Sequence, residues 1–144
     1  MNENLLTKLK ELKQKDKKEF KQISLKDNEL LFLLNNSFII NDFTILVKYD
    51  IIKNYANPNI FDIIINHLLK KIRYIIQQHN KFQMHIDLHG YTITSHERIK
   101  NLYNQLFIAC EQDNILFSEK LTIMNIYNCP LILRSLNSFF APFI

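Results

Sequence analysis

The stretch that most constrains this chain is the short apolar segment 121–127, Leu-Thr-Ile-Met-Asn-Ile-Tyr. Its run of apolar and β-branched residues favours a buried strand. Asn128, Cys129 and Pro130 follow directly, and proline lacks an N–H donor but suits the first turn of a helix. The sequence therefore predicts a strand that ends near residue 127 and a helix that begins near Leu131 and stops before Pro142.

Two more strand and helix patterns precede this segment. Pro58 follows an asparagine cap, and apolar residues recur at helical spacing through 60–76. Apolar and polar residues alternate through segment 82–88, and this pattern predicts a strand. Thr94 and Glu97 predict a capping box at the start of the next helix. Strands that alternate with helices predict an α/β protein with right-handed crossovers.

The region before Pro58 contains several short apolar segments. Leu30 to Leu34 is a short apolar run, and the turn signal Asn-Asn-Ser at 35–37 separates it from two strand-like segments, 38–40 and 43–47. Two or three short strands are predicted here.

The N-terminal residues 4–22 read as a basic amphipathic helix, with lysines concentrated from Lys8 to Lys21. Such a helix can lie on an anionic membrane surface, or it can pack on the domain through its leucines. We expect two units: a basic N-terminal helix at 1–24 and an α/β domain at 28–144.

Composition limits the class of protein. At 144 residues the chain predicts one domain, and no apolar run reaches the ~18 residues of a membrane span. The lysine-rich start lacks the apolar core of a secretory signal, so a cytoplasmic location is expected. Two cysteines give no disulfide framework. The only glycine, Gly90, excludes glycine-rich phosphate loops, and no cofactor is expected.

Four landmarks resemble the CRAL-TRIO lipid-binding family. Ile-Tyr-Asn-Cys-Pro at 126–130 is similar to its Ile-Asn-Ala-Pro turn, and Ala-Pro-Phe-Ile at 141–144 to its Lys-Pro-Phe-Leu end. Segment 117–121 stands where the family shows Tyr-Pro-Glu-Arg-Leu, and segment 86–92 looks like its Asp-Leu-Lys-Gly strand end. The resemblance implies a mixed sheet flanked by helices.

The same resemblance implies a lipid or other hydrophobic ligand between sheet and helices, with no catalysis, no metal and no nucleic-acid partner. The family continues beyond the point where residue 144 stands, so a protein-interaction scaffold is the alternative function. The ligand-binding residues implied are Met84, Ile86, Ile123, Tyr127, Phe139 and Phe140.

Segment 85–90 supports two other hypotheses. His85, Asp87 and His89 at alternate positions could hold zinc or manganese, with His96 as a further ligand. Asp-Leu-His-Gly at 87–90 also resembles the signature of Smr-type nuclease domains. Those domains carry a second, glycine-containing loop, for which this chain offers no second glycine.

Overall fold

The computed structural model describes residues 26–131. The predicted N-terminal helix, the helix expected after Pro130, and the implied ligand residues Phe139 and Phe140 lie outside this range. A short 3₁₀ turn, Pro58–Ile60, leads into α3. The elements are α1 Asp27–Ser37, β1 Phe38–Asn41, β2 Thr44–Lys48, α2 Tyr49–Ile52, α3 Phe61–His79, β3 Phe82–Asp87, α4 Ile93–Gln112, α5 Phe117–Lys120 and β4 Leu121–Tyr127.

The four strands form one mixed sheet in the order β1-β2-β3-β4. β1 and β2 pair antiparallel, whereas β2, β3 and β4 run parallel to one another. Parallel neighbours require a crossover, and α3 and α4 supply the two crossovers. The α/β class with a mixed sheet and flanking helices, as predicted, is confirmed.

One face of the sheet is covered by α3 and α4. The inward residues of the strands pack against apolar residues of these helices, which recur at helical spacing and are almost fully buried. In the described part of the chain, no element covers the opposite face. Its residues are half-buried or exposed: Ile39, Leu46, Gln83, His85, Ile123, Asn125 and Tyr127.

The structure corrects the prediction for the region before β1. Leu30 to Leu34 lies in α1, and the predicted turn at 35–37 is the last turn of that helix. Leu33 and Leu34 are buried, and the Ser37 hydroxyl donates to the Leu33 carbonyl oxygen at 2.7 Å. A short apolar run fits a buried helix as well as a strand, and here the packing of the leucines decides for the helix.

The predicted helix starts are confirmed at one position and wrong at another. Asn57 caps the 3₁₀ turn that enters α3, accepting a hydrogen bond from the Asn59 N–H at 2.9 Å. The capping box predicted at Thr94 is wrong, because α4 begins at Ile93 and its N-cap is Thr92. Among residues 26–131, no helix has the length and apolar character needed to cross a membrane.

Candidate functional site

The implied ligand residues do not share one surface. Met84 and Ile86 face the helices and are only 3% and 5% exposed, whereas Ile123 and Tyr127 are 40% and 44% exposed on the open face. The expectation that Ile123 faces the helices is wrong. The β3–β4 register is irregular beside Phe82, so strict alternation from Leu121 fails.

The space between the sheet and the helices is small. A cavity of about 40 Å³ lies there, lined by apolar residues that include Met84, Ile86 and Met124. Ligand pockets for small molecules measure about 300–1,000 Å³. A lipid chain would therefore require the helices to separate from the sheet.

A polar loop follows β3 at the carboxyl edge of the sheet. Leu88 and Tyr91 are each 2% exposed and anchor this loop in the core, while His89 and Gly90 between them are exposed. The Leu88 N–H donates to the Tyr127 carbonyl oxygen, and the Tyr91 N–H donates to that of Leu88, both at 2.9 Å. The loop is thus held on both sides of His89.

Tyr91 is itself held by aromatic and polar neighbours beneath the loop. Its ring packs edge-on against Tyr49, which follows β2, with centroids 4.8 Å apart. Its hydroxyl lies 2.9 Å from Nδ1 of His96, on the first turns of α4. Burial is the largest cause that raises the pKa of Tyr91, so the phenol stays neutral. Tyr91 therefore ties β2, the loop and α4 together.

Asp87 ends β3 and holds the loop through its carboxylate. Its Oδ1 accepts hydrogen bonds from the His89 N–H at 3.0 Å and from Nδ2 of Asn128 at 2.7 Å. The Asn128 bond is the main cause that lowers the pKa of Asp87, with smaller contributions from His89 and the Lys48 charge, while desolvation opposes them. Asp87 is therefore an ionised acceptor at neutral pH.

Asn128 is the residue of the candidate site that the sequence interpretation missed. It follows β4 with φ of 58°, in the left-handed region that favours glycine and also tolerates asparagine. Asp42, Asn80 and Asn114 occupy the same region, so this chain uses Asn or Asp at turns where glycine is common. The lack of a second glycine therefore does not exclude a tight turn after β4. An Asn directly after a predicted strand was the available signal.

Positive charge lies near the loop. Gly90 has φ of 81°, and a side chain there would meet the Lys53 ammonium group. Lys48, the last residue of β2, pairs in register with Asp87. The N-terminus of α4 follows at Thr92 with no acidic side chain in its first turn, so its dipole also favours an anion.

Three of the four residues suggested for a metal, His85, Asp87 and His96, have other partners. His85 lies 2.7 Å from the Tyr127 hydroxyl through Nδ1 and 3.3 Å from Oε1 of Gln83 through Nε2. His96 contacts Tyr91 as described above. Within 26–131, no three His, Cys, Asp or Glu side chains are grouped so that they could hold a metal ion.

The site combines an ionised carboxylate, an exposed imidazole, an amide donor and nearby lysines at the ends of adjacent parallel strands. In open α/β sheets, ligands bind outside the carboxyl ends of the strands. The lysines and the helix N-terminus can hold an anion, and His89 can donate or accept a proton. This set suits a phosphate ester better than an apolar molecule.

Comparisons of this chain with protein-family models, with curated proteins and with solved structures gave no significant match.

Proposed function

We propose that the loop at 87–90 binds the backbone of a single-stranded nucleic acid and cleaves a phosphodiester there, as the resemblance to Smr-type nuclease domains implies. The observation that carries the proposal is the convergence of Asp87, His89 and Asn128 at the ends of two adjacent parallel strands. The expectation of a non-catalytic domain without a nucleic-acid partner stays a prediction, and the nuclease proposal is the alternative to it.

Each group has a role that its chemistry permits. Lys48, Lys53 and the N-terminus of α4 offset the phosphate charge. The Asp87 carboxylate takes the proton of the attacking hydroxyl, which belongs to water or to a ribose, as the oxygen of that hydroxyl forms its bond to phosphorus. The His89 imidazole gives a proton to the leaving oxygen as the bond from phosphorus to that oxygen breaks.

The domain itself supplies little general attraction for nucleic acid. Residues 26–131 carry ten basic and ten acidic side chains, whereas the whole chain has a net charge of +4. The lysines between residues 8 and 21 supply most of this net positive charge. We therefore assign non-specific, salt-dependent affinity to the N-terminal lysines and the choice of the cleaved bond to the loop.

The test compares variants near the carboxyl ends of the parallel strands with matched control variants near their amino ends. Asp87→Asn and His89→Ala should each lower the rate of cleavage of single-stranded RNA or DNA about a hundredfold or more. Asp42, before β2, and His79, at the end of α3, are exposed residues away from the loop. The control variants Asp42→Asn and His79→Ala should cleave at the wild-type rate.

Loss of cleavage in all four variants, or in none, would contradict the assignment to this loop. Cleavage that disappears on further purification of the wild-type protein would point to a contaminating nuclease.

Lipid binding and the scaffold function implied by the CRAL-TRIO resemblance stay predictions, as do that family assignment, the cytoplasmic location and membrane docking through residues 8–21. Mass spectrometry of organic extracts from the purified protein tests the first of these. A stoichiometric lipid would favour the CRAL-TRIO interpretation over the nuclease proposal.

A further inference from the structure

The open face of the sheet carries an aromatic pair beside the candidate site. Tyr127 of β4 and His85 of β3 have nearly parallel rings, 14° apart, with centroids separated by 5.7 Å. The Tyr127 hydroxyl lies 2.7 Å from Nδ1 of His85, and this bond fixes the two rings relative to each other. The Tyr127 ring is therefore held in a set orientation on the open face of the sheet.

Amide side chains flank this pair. Oε1 of Gln83 lies 3.3 Å from Nε2 of His85, and Nδ2 of Asn125 lies 3.5 Å from the Tyr127 hydroxyl. Positions 83 and 85 of β3 and 123 and 125 of β4 carry no carboxylate and no lysine. A flat aromatic surface with amides at its rim can stack a base and form hydrogen bonds with its edges.

The surface is continuous with the candidate site. Tyr127 pairs in register with Asp87, so the aromatic pair lies beside the first residue of the loop at 87–90. Tyr127 is 44% exposed, which leaves much of its side chain accessible to a ligand. A strand whose backbone lies at the loop would bring a neighbouring base over this face.

We propose that Tyr127, supported by His85, stacks an unpaired nucleobase next to the phosphodiester at Asp87, which makes the domain selective for single strands. This inference rests on the proposed function and adds the base-binding surface to it. Stacking on an aromatic side chain is tolerant of base identity, so selectivity is for unpaired bases and not for sequence.

The test uses a single strand of about eight nucleotides with one 2-aminopurine, prepared as RNA and as DNA, and a matched strand that is abasic at that position. Stacking quenches the fluorescence of 2-aminopurine. Wild-type protein should quench it, and should bind the abasic strand about tenfold more weakly, the loss expected for one stacked base.

Variants assign the effect to the ring. Tyr127→Leu should abolish quenching and bind the intact strand about tenfold more weakly, at the level of the abasic strand. Tyr127→Phe keeps the ring that stacks and loses only the bond to His85 that orients it, so it should still quench and should bind more tightly than Tyr127→Leu. Tyr74→Leu, at a tyrosine on α3 that is 57% exposed, is the control and should behave as wild type.

The outcomes separate this inference from the proposed function. Equal affinity of wild-type protein for intact and abasic strands, with cleavage still dependent on Asp87, would overturn the stacking surface alone. Unchanged quenching in Tyr127→Leu would do the same. Absence of binding to either strand would overturn both.

Discussion

Asn128 donates a hydrogen bond from Nδ2 to Oδ1 of Asp87 at 2.7 Å, across 41 residues of sequence. The bond joins the end of β4 to the end of β3, and the left-handed conformation of Asn128 places its amide beside the carboxylate. One side chain thereby closes the turn after β4 and lowers the pKa of the acid at the candidate site.

Asn128→Gly should raise the pKa of Asp87 toward its ordinary value of 3.8, because the bond that chiefly lowers it is lost. A carbon-detected NMR titration of the Asp87 carboxyl group measures this change. Asn125→Gly, three residues earlier and without a bond to Asp87, is the control. An unchanged Asp87 pKa in Asn128→Gly would refute the assigned cause.

The same shift predicts how stability depends on pH. Since folding lowers the pKa of Asp87, its contribution to stability is present above pH 3.8 and is lost as pH falls through the folded-state pKa. The gap in stability between wild type and Asn128→Gly should therefore narrow on acidification below pH 3.8. Urea unfolding at a series of pH values measures the gap. A gap that widens in acid would contradict the sign.

Asn128→Ala should be less stable than Asn128→Gly by about 1 kcal/mol, since both lose the amide but only alanine is strained at positive φ. Chemical denaturation of the two variants gives the difference directly. Equal stability would mean that the turn relaxes away from the left-handed region.

Ser37 and Tyr55 form a buried pair that should behave as one unit. The Ser37 hydroxyl donates to Leu33, so it accepts from the Tyr55 hydroxyl at 2.8 Å. Ser37→Ala leaves the buried phenol without its partner and should cost about 1–3 kcal/mol. The double variant with Tyr55→Phe should cost less than the sum of the two single variants. Strict additivity in urea unfolding would show that the pair is not coupled.

Met84 and Ile123 test the two faces of the sheet. Met84→Ala opens a cavity in the core and should cost about 2–5 kcal/mol, whereas Ile123→Ala on the open face should cost no more than about 1 kcal/mol. Thermal or urea unfolding measures both. Comparable losses would mean that the open face is covered in the folded protein.

Much of the sheet and its two crossovers was predictable because the patterns are long or strictly periodic. The apolar rows of α3 fit only a helix, and the alternation of apolar and polar residues in β3 fits only a strand. The run at Leu30 to Leu34 was too short to separate helix from strand. The face of Ile123 could not be predicted, since the irregularity beside Phe82 arises from pairing between distant segments.

The candidate site was predictable in part for the same reason. Asp87 and His89 were evident from a local motif. Their partner Asn128 comes from a strand far along the chain, and its role depends on a backbone angle that composition does not reveal. The single glycine predicts no tight second loop, but asparagine tolerates positive φ and forms such a turn at position 128.

The most direct test of the central claim is a titration of nitrogen-15-labelled protein with a short single-stranded oligonucleotide, followed by amide chemical shifts. We predict the largest changes at His89 and Gly90 in the loop, at Thr92 at the start of α4 and at Asn128 after β4. The amide shifts of Asp42 and His79, near the amino ends of the parallel strands, should stay unchanged. Changes confined to the lysine-rich residues 8–21, or the absence of any change at low salt, would contradict the claim that this loop binds nucleic acid.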